Sequence, residues 1–160
     1  MGLTEPIRVL FVCTGNSARS QMAEAFLRSL GGEGYEVYSA GLEPNKGVNP
    51  FAIRVMEELG YDMSAHRAKH LSEYVGKVNF DHLITVCGNA ERRCPFFPGQ
   101  GQRLHWGFED PAALVGTDDE KLARFREVRD LIRARIRAWL ERGPEEPEEP
   151  SVWLRLPGPS

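Results

Sequence analysis

The stretch Val9-Leu10-Phe11-Val12-Cys13-Thr14-Gly15-Asn16-Ser17-Ala18-Arg19-Ser20 decides how this chain is read. An apolar run ends in a cysteine. Small polar residues and a glycine follow, then an arginine, and a helical pattern starts at Gln21. A strand that turns through such a loop into a helix makes an oxyanion cradle. The loop amides face inward and the helix N-terminus adds about half a positive charge. Cation and dipole both favour a thiolate at that place. The expectation is a nucleophilic sulfur, Cys13, facing a tetrahedral-anion site built from Thr14, Gly15, Asn16, Ser17, Ala18, Arg19 and Ser20. Arg19 supplies a planar fork for the anion's oxygens. The competing reading is a buried strand cysteine and a surface arginine; the strand before and the helix after favour the functional one.

Outward from this stretch, strand and helix patterns alternate. Residues 7–12 read as a fully buried strand, 21–30 as a helix with Met22, Ala23, Phe26, Leu27 and Leu30 on one face, and 36–40 as a second strand. Asn49-Pro50 marks a helix start and Gly60 its end. Residues 71–75 read as a short helix, 80–86 as the third strand, 90–101 as loop and 102–106 as the fourth strand. Thr117-Asp118-Asp119-Glu120 is a capping box that opens the longest helix, which Gly143-Pro144 ends. The alternation predicts an α/β three-layer sandwich, a four-stranded parallel sheet with helices on both faces. Cys13, Cys87 and Asp110 each follow a predicted strand end, which aims them at one sheet edge.

Cys87 and Cys94 are the second signal, with six residues between them. They form a disulfide if their α-carbons come within about 7 Å, and Arg92 and Arg93 are placed to favour the thiolate. The alternatives are two buried thiols, or a zinc site that lacks two further ligands at the usual spacing. Asp110 before Pro111 reads as a turn residue by itself and as a proton donor beside Cys13. His66 and His70 read as a solvated or capping pair, the tryptophans 106, 139 and 153 as packing residues, and the arginines of the long helix as a solvated face.

The whole chain bounds the rest. Its 160 residues suit one domain, expected over 1–142, with a flexible Pro/Glu-rich tail over 143–160 on which Trp153, Leu154 and Leu156 are candidate docking residues. A net charge of −3 carries no basic field for nucleic acid or anionic membrane. The apolar run near the start is too short to span a bilayer, no signal-peptide pattern precedes it, and Pro6 spoils a myristoylation motif at Met1-Gly2. Three cysteines do not suit a secreted disulfide framework. The expectation is a cytoplasmic monomer.

The loop 12–20, Gln21-Met22-Ala23-Glu24, Ser39-Ala40-Gly41, Thr85-Val86-Cys87, Cys94-Pro95 and Trp106-Gly107-Phe108-Glu109-Asp110-Pro111-Ala112 together resemble the low-molecular-weight protein tyrosine phosphatase superfamily. They resemble most closely its thioredoxin-coupled arsenate reductases. The resemblance covers residues 7–140, and the Cys87/Cys94 pair points to the reductase. It implies that Cys13 attacks arsenate held by the loop and Arg19, that Asp110 protonates the departing oxygen, and that Asn16 and Ser20 orient the thiolate. It implies that Cys87 then attacks Cys13, and that a disulfide between Cys87 and Cys94 passes to thioredoxin. Phosphate and sulfate compete with arsenate on this reading. No cofactor is bound, apart from potassium at Asn16, Glu24 and Ser39. The alternative is a phosphatase using Cys13, Arg19 and Asp110, although Ala112-Ala113 stands where phosphatases carry an aromatic residue. A third reading is a non-enzymatic oxyanion sensor.

Overall fold

The computed structural model describes residues 5–143. The apolar run is β1, Ile7–Cys13, and Val9, Leu10, Phe11 and Val12 are fully buried within it. Each such side chain contributes about 1.5–3 kcal/mol of burial. The chain continues through α1 (Arg19–Gly31), β2 (Tyr35–Gly41), α2 (Pro50–Glu57), β3 (His82–Thr85), α3 (Gly88–Arg93), β4 (Gln102–His105) and α4 (Asp118–Arg142). Single 3-10 turns lie at Gly32–Gly34, Leu71–Glu73 and Pro111–Ala113. The sheet order is β2-β1-β3-β4, with every pair parallel.

Strand alternation sorts the two faces. Phe11 meets Trp106, ring centroids 6.0 Å apart, and Trp106 meets Trp139 of α4 at 5.6 Å. α1 and α4 pack on each other over that face. On the other face Tyr38, Tyr74 and Phe80 meet edge to face, and α3 is tied to Thr85 at the end of β3. The expected fold is therefore present, with local differences. α1 starts at Arg19, so the arginine belongs to the first helical turn. β3 is shorter than its apolar pattern. Residues 71–75 reduce to one 3-10 turn.

Two expectations need correction. The segment expected to be loop from Ala90 begins as helix α3, with Ala90 fully buried against the sheet. The arginines of α4 are not all solvated. Arg129 and Arg135 are 7% and 6% exposed; Arg129 Nη1 donates to the Val55 carbonyl (2.8 Å) and Glu58 (2.9 Å), and Arg135 lies over the Trp106 ring. Arginine stems cover apolar surface that a periodicity count leaves to solvent. The capping box at Thr117 and Glu120 is formed as expected. Trp153, Leu154, Leu156 and the tail from Pro144, like Met1-Gly2, lie outside the described residues.

Candidate functional site

The loop after β1 is held from behind. Its carbonyls accept, in order, from Leu42 N–H at Cys13 (3.2 Å), Glu43 N–H at Thr14 (2.8 Å), Asn45 N–H at Gly15 (2.9 Å), Gln21 Nε2 at Asn16 (3.1 Å) and Asn49 N–H at Ser17 (2.8 Å). No peptide among the described residues is cis. In a trans peptide N–H points opposite to C=O, so the amides that follow these carbonyls turn to the other side. Beside the loop is a cavity of about 250 Å³ lined by Cys13, Thr14, Gly15, Ser17, Ala18, Arg19 and Asp110, with Glu43, Asn45, Asn49 and Ala112 on its walls. The loop's tightness is visible at Gly41, where an added Cβ would stand 2.6 Å from the Thr14 carbonyl oxygen and 3.0 Å from the Asn16 nitrogen.

Cys13 is 3% exposed, and its Sγ accepts from the Asn16 N–H at 3.2 Å and lies 2.8 Å from Ser20 Oγ. Asn16 Nδ2 donates to Ser20 Oγ (2.8 Å) and can do nothing else there. The Ser20 proton is thereby left free to point at Cys13 Sγ. Asn16 is fully buried at φ +50°, and its Oδ1 accepts from Lys69 N–H (2.9 Å) and Gln21 Nε2 (3.0 Å). Asparagine tolerates this left-handed backbone better than most residues. Gln21 Oε1 in turn accepts from His66 Nδ1 at 2.9 Å, and burial holds the His66 pKa below its ordinary value. His66 is thus part of the loop's support, whereas His70 caps the Leu71–Glu73 turn as expected, accepting from Ser72 N–H.

Arg19 Nη1 donates to the Phe108 carbonyl (3.1 Å), and its Nη2 stands 3.7 Å from Asp110 Oδ2. Asp110 also accepts from Ala112 N–H (3.0 Å), so it is both a turn cap and a cavity wall. Cys87 caps α3, its Sγ accepting from Ala90 N–H at 3.3 Å. The same Sγ lies 3.5 Å from Thr14 Oγ1, which accepts from Asn89 Nδ2 (2.7 Å). Cys94 caps the other end of α3. Burial pushes the Cys94 thiol pKa up, against a lowering by Arg103. The expected help from Arg93 is corrected: Arg93 reaches across to Glu43 (2.7 Å).

Asn16, Glu24 and Ser39, expected to hold potassium, do come together, but the cation among them is Lys69. Its Nζ lies 3.3 Å from Asn16 Oδ1, 3.3 Å from Ser39 Oγ and 3.9 Å from Glu24 Oε1, with side-chain exposure of 9%. The oxygen donors suit a monovalent cation, and a tethered ammonium takes the space. Burial lowers the Lys69 pKa and Glu24 opposes that shift. A larger cavity of about 470 Å³ adjoins it, lined by Arg28, His66, Arg67 and Tyr74 among others, and contains no cysteine. Among the described residues no three His, Cys, Asp or Glu side chains gather as a metal cluster, and no helix is long and apolar enough to cross a membrane.

Sequence reasoning missed Lys69, Glu43 and Asn45, and its reading of His66 as a solvated or capping residue is corrected by the bond to Gln21. All four reach the loop or its support Gln21 across long sequence separations, and Lys69, Glu43 and Asn45 stand in no local pattern.

Comparison with known proteins agrees with this geometry. An arsenate reductase of Halalkalibacterium halodurans is 45% identical over 135 residues, covering 84% of this chain and 96% of that one. A solved arsenate reductase in the phosphate binding state superposes with a TM-score of 0.71 at 34% identity, covering 85% of this chain and 98% of that one. A thioredoxin-dependent arsenate reductase of Corynebacterium glutamicum superposes with a TM-score of 0.63 at 30% identity, covering 88% of this chain and 63% of that one. The profile of one family, low molecular weight phosphotyrosine protein phosphatase, matches residues 8–148. With its strand order, its cysteine loop and these relatives in accord, the chain belongs to the low molecular weight phosphotyrosine protein phosphatase family, beside its arsenate reductases.

Proposed function

We propose that this protein reduces arsenate to arsenite. The observation that carries the reading is the pair of thiols beyond Cys13: Cys87 against loop residue Thr14, and Cys94 at the far end of the same short helix. Hydrolysis of a Cys13 adduct by water needs neither.

The Cys13 thiolate attacks arsenic in the cradle, with Arg19 and the loop amides holding the equatorial oxygens. One As–O bond breaks and its oxygen leaves as water, one proton coming from Asp110. The Cys87 thiolate then attacks Cys13 Sγ. An S–S bond forms, the S–As electron pair stays on arsenic, and As(V) departs as As(III) in arsenite. The Cys94 thiolate attacks Cys87 Sγ, freeing Cys13 and leaving a disulfide between Cys87 and Cys94. The dithiol of thioredoxin reduces that disulfide by exchange and supplies the two electrons of the turnover. On this reading the enzyme is a cytoplasmic monomer with its catalytic domain in residues 1–142, and phosphate and sulfate compete for the cradle.

Arsenite production with thioredoxin, thioredoxin reductase and NADPH tests the proposal. Cys87→Ser and Cys94→Ser are each expected to stop after at most one turnover. Full multi-turnover activity in either would overturn the relay. Phosphomonoester hydrolysis is the second reading, favoured by Cys13, Arg19 and Asp110 lining one cavity. It requires that both serine variants cleave aryl phosphates while Cys13→Ser does not. Ala112 on the cavity wall supplies no ring to stack on an aryl group, which favours the small oxyanion.

A further inference from the structure

α3 spans six residues, Gly88–Arg93, with a cysteine capping each end. Cys87 and Cys94 are seven positions apart, about 10 Å along a helix axis at 1.5 Å per residue. A disulfide requires α-carbons within about 7 Å. The helix and its closing bonds, Glu91 N–H to the Cys87 carbonyl (3.1 Å) and Cys94 N–H to the Ala90 carbonyl (2.8 Å), must therefore open before the two sulfurs join. A helix this short is unstable by itself, so its neighbours decide how often it opens.

The neighbours converge on two residues. Arg103 of β4, its side chain 10% exposed, reaches over the segment. Its Nη2 donates to the Glu91 carbonyl (3.1 Å), its Nη1 to the Pro95 carbonyl (3.5 Å), its Nε faces Glu91 Oε1 (3.6 Å), and its guanidinium lies 4.3 Å over the Phe96 ring. One side chain thus grips the segment on both sides of Cys94. The Glu91 carboxylate is gripped in turn. Thr85 Oγ1 donates to it at 2.8 Å. That donation uses the only Thr85 proton, so His105 Nδ1–H, 2.8 Å away, donates to Thr85 Oγ1. Two other tethers hold the N-terminal and exposed sides of the helix: Asn89 Nδ2 donates to Thr14 Oγ1 (2.7 Å), and Arg93 pairs with Glu43 in a bridge exposed on both sides, a kind that contributes little.

We propose that Arg103 and Glu91 act as a clasp that holds the segment 87–94 helical and sets how fast Cys94 is delivered to Cys87. They are positioning residues. They bond neither the anion nor a sulfur in any step above and act mainly through the backbone that carries the thiols; the charge of Arg103 also favours the Cys94 thiolate, so hydrogen exchange, which does not depend on that thiolate, is the deciding measurement. The proposal rests on reading Cys87 and Cys94 as a relay pair, so its test uses no arsenate.

Amide hydrogen exchange in the reduced protein is the first measurement. Arg103→Met, which keeps the stem and removes the fork, is expected to speed exchange at the Glu91 and Cys94 amides about tenfold and leave α1 unchanged. Glu91→Gln, which keeps the hydrogen bond and removes the charge, is expected to give about threefold. The second measurement is oxidation by diamide in a Cys13→Ala background. Two thiol protons and two electrons pass from Cys87 and Cys94 to the azo bond, and an S–S bond forms. This rate, followed by mass spectrometry of the linked peptide, should rise with the exchange rate across the two variants. Unchanged exchange at residues 91 and 94 in both variants, or a rise shared equally by α1, overturns the clasp. Loss of arsenate reduction elsewhere in the scheme leaves these readings untouched. Multi-turnover activity in Cys94→Ser removes the relay and leaves the exchange result to stand as packing alone.

Discussion

From residue 13 to residue 17 each backbone carbonyl is bound by a donor outside the loop, and Asn16 alone is held by Ser20, Gln21, Ser39 and Lys69. From residue 87 to residue 94 the backbone relies on one six-residue helix and on side chains that reach over it. The first arrangement is over-determined; losing one contact leaves the rest in place. The second is held by few contacts and opens when they part. The division suits the proposed chemistry. A tetrahedral anion is stabilised by donors that do not reorganise, whereas a thiol relay must move its sulfurs between partners.

The largest change to that contrast is expected from Lys69→Met. It removes the cation buried beside Glu24 and leaves the Asn16 and Ser39 oxygens without it, and breaking a buried pair costs about 3–5 kcal/mol. Chemical denaturation should place the loss near the lower figure, because Arg28 still pairs with Glu24 at 2.6 Å. Potassium or ammonium in the buffer is expected to recover part of it, since the three oxygen donors remain. Gly41→Ala comes next. Its Cβ meets backbone atoms that cannot rotate away, and overpacking of this kind costs about 1–3 kcal/mol. The expected readout is lost stability together with weakened phosphate binding, whereas the same substitution at Gly47, where a Cβ meets nothing, leaves phosphate binding unchanged.

Ser20→Ala sharpens the contrast at the sulfur. Removing a hydrogen bond to a charged group costs about 1.5–3 kcal/mol. At a fixed pH, alkylation of Cys13 by iodoacetamide is expected to slow, and the buried Asn16 Nδ2, which loses Ser20 Oγ as an acceptor and keeps Ser39 Oγ, lowers the thermal stability slightly. The smallest effect lies outside both regions. Arg126 and Arg129 hold the Glu58 carboxyl at about 2, well below its ordinary 4.5. A depressed carboxyl stabilises the fold above pH 4.5, and that stabilisation disappears as pH falls towards 2. Glu58 is partly exposed, so solvent screening limits the effect to under about 1 kcal/mol. Melting temperatures of the native chain and Glu58→Gln should therefore differ at pH 6 and converge as pH approaches 2.

The same contrast explains what could be read in the sequence. The cradle was legible because its determinants are contiguous: a buried strand, a small-residue turn and a helix start within residues 7–30. Asp110 and Cys87 followed from topology, since each stands in the segment that follows a strand end, Cys87 two residues past β3 and Asp110 five past β4. α3 was not legible. Gly88, Pro95 and Pro98 argue locally for loop, and the helix exists because Ala90 packs in the core and Glu91 is held by Thr85. Lys69 carried no local signal either, because its partners Asn16 and Ser39 are 53 and 30 residues away. The buried Arg129 has the same character: its carbonyl partner, Val55, is on another helix.

The outward-bound carbonyls also bear on when the proposed anion site comes into being during synthesis. Their donors at Leu42, Glu43, Asn45 and Asn49 all emerge after the loop itself, and Lys69 later still. A nascent chain that ends before Leu42 carries the entire cysteine loop and lacks these backbone contacts, and one that ends before Lys69 still lacks the donors to Asn16 Oδ1 that Lys69 supplies. On the proposed reading, anion affinity is thus a property of the assembled sheet, and a bound oxyanion is expected to stabilise the whole domain by mass action.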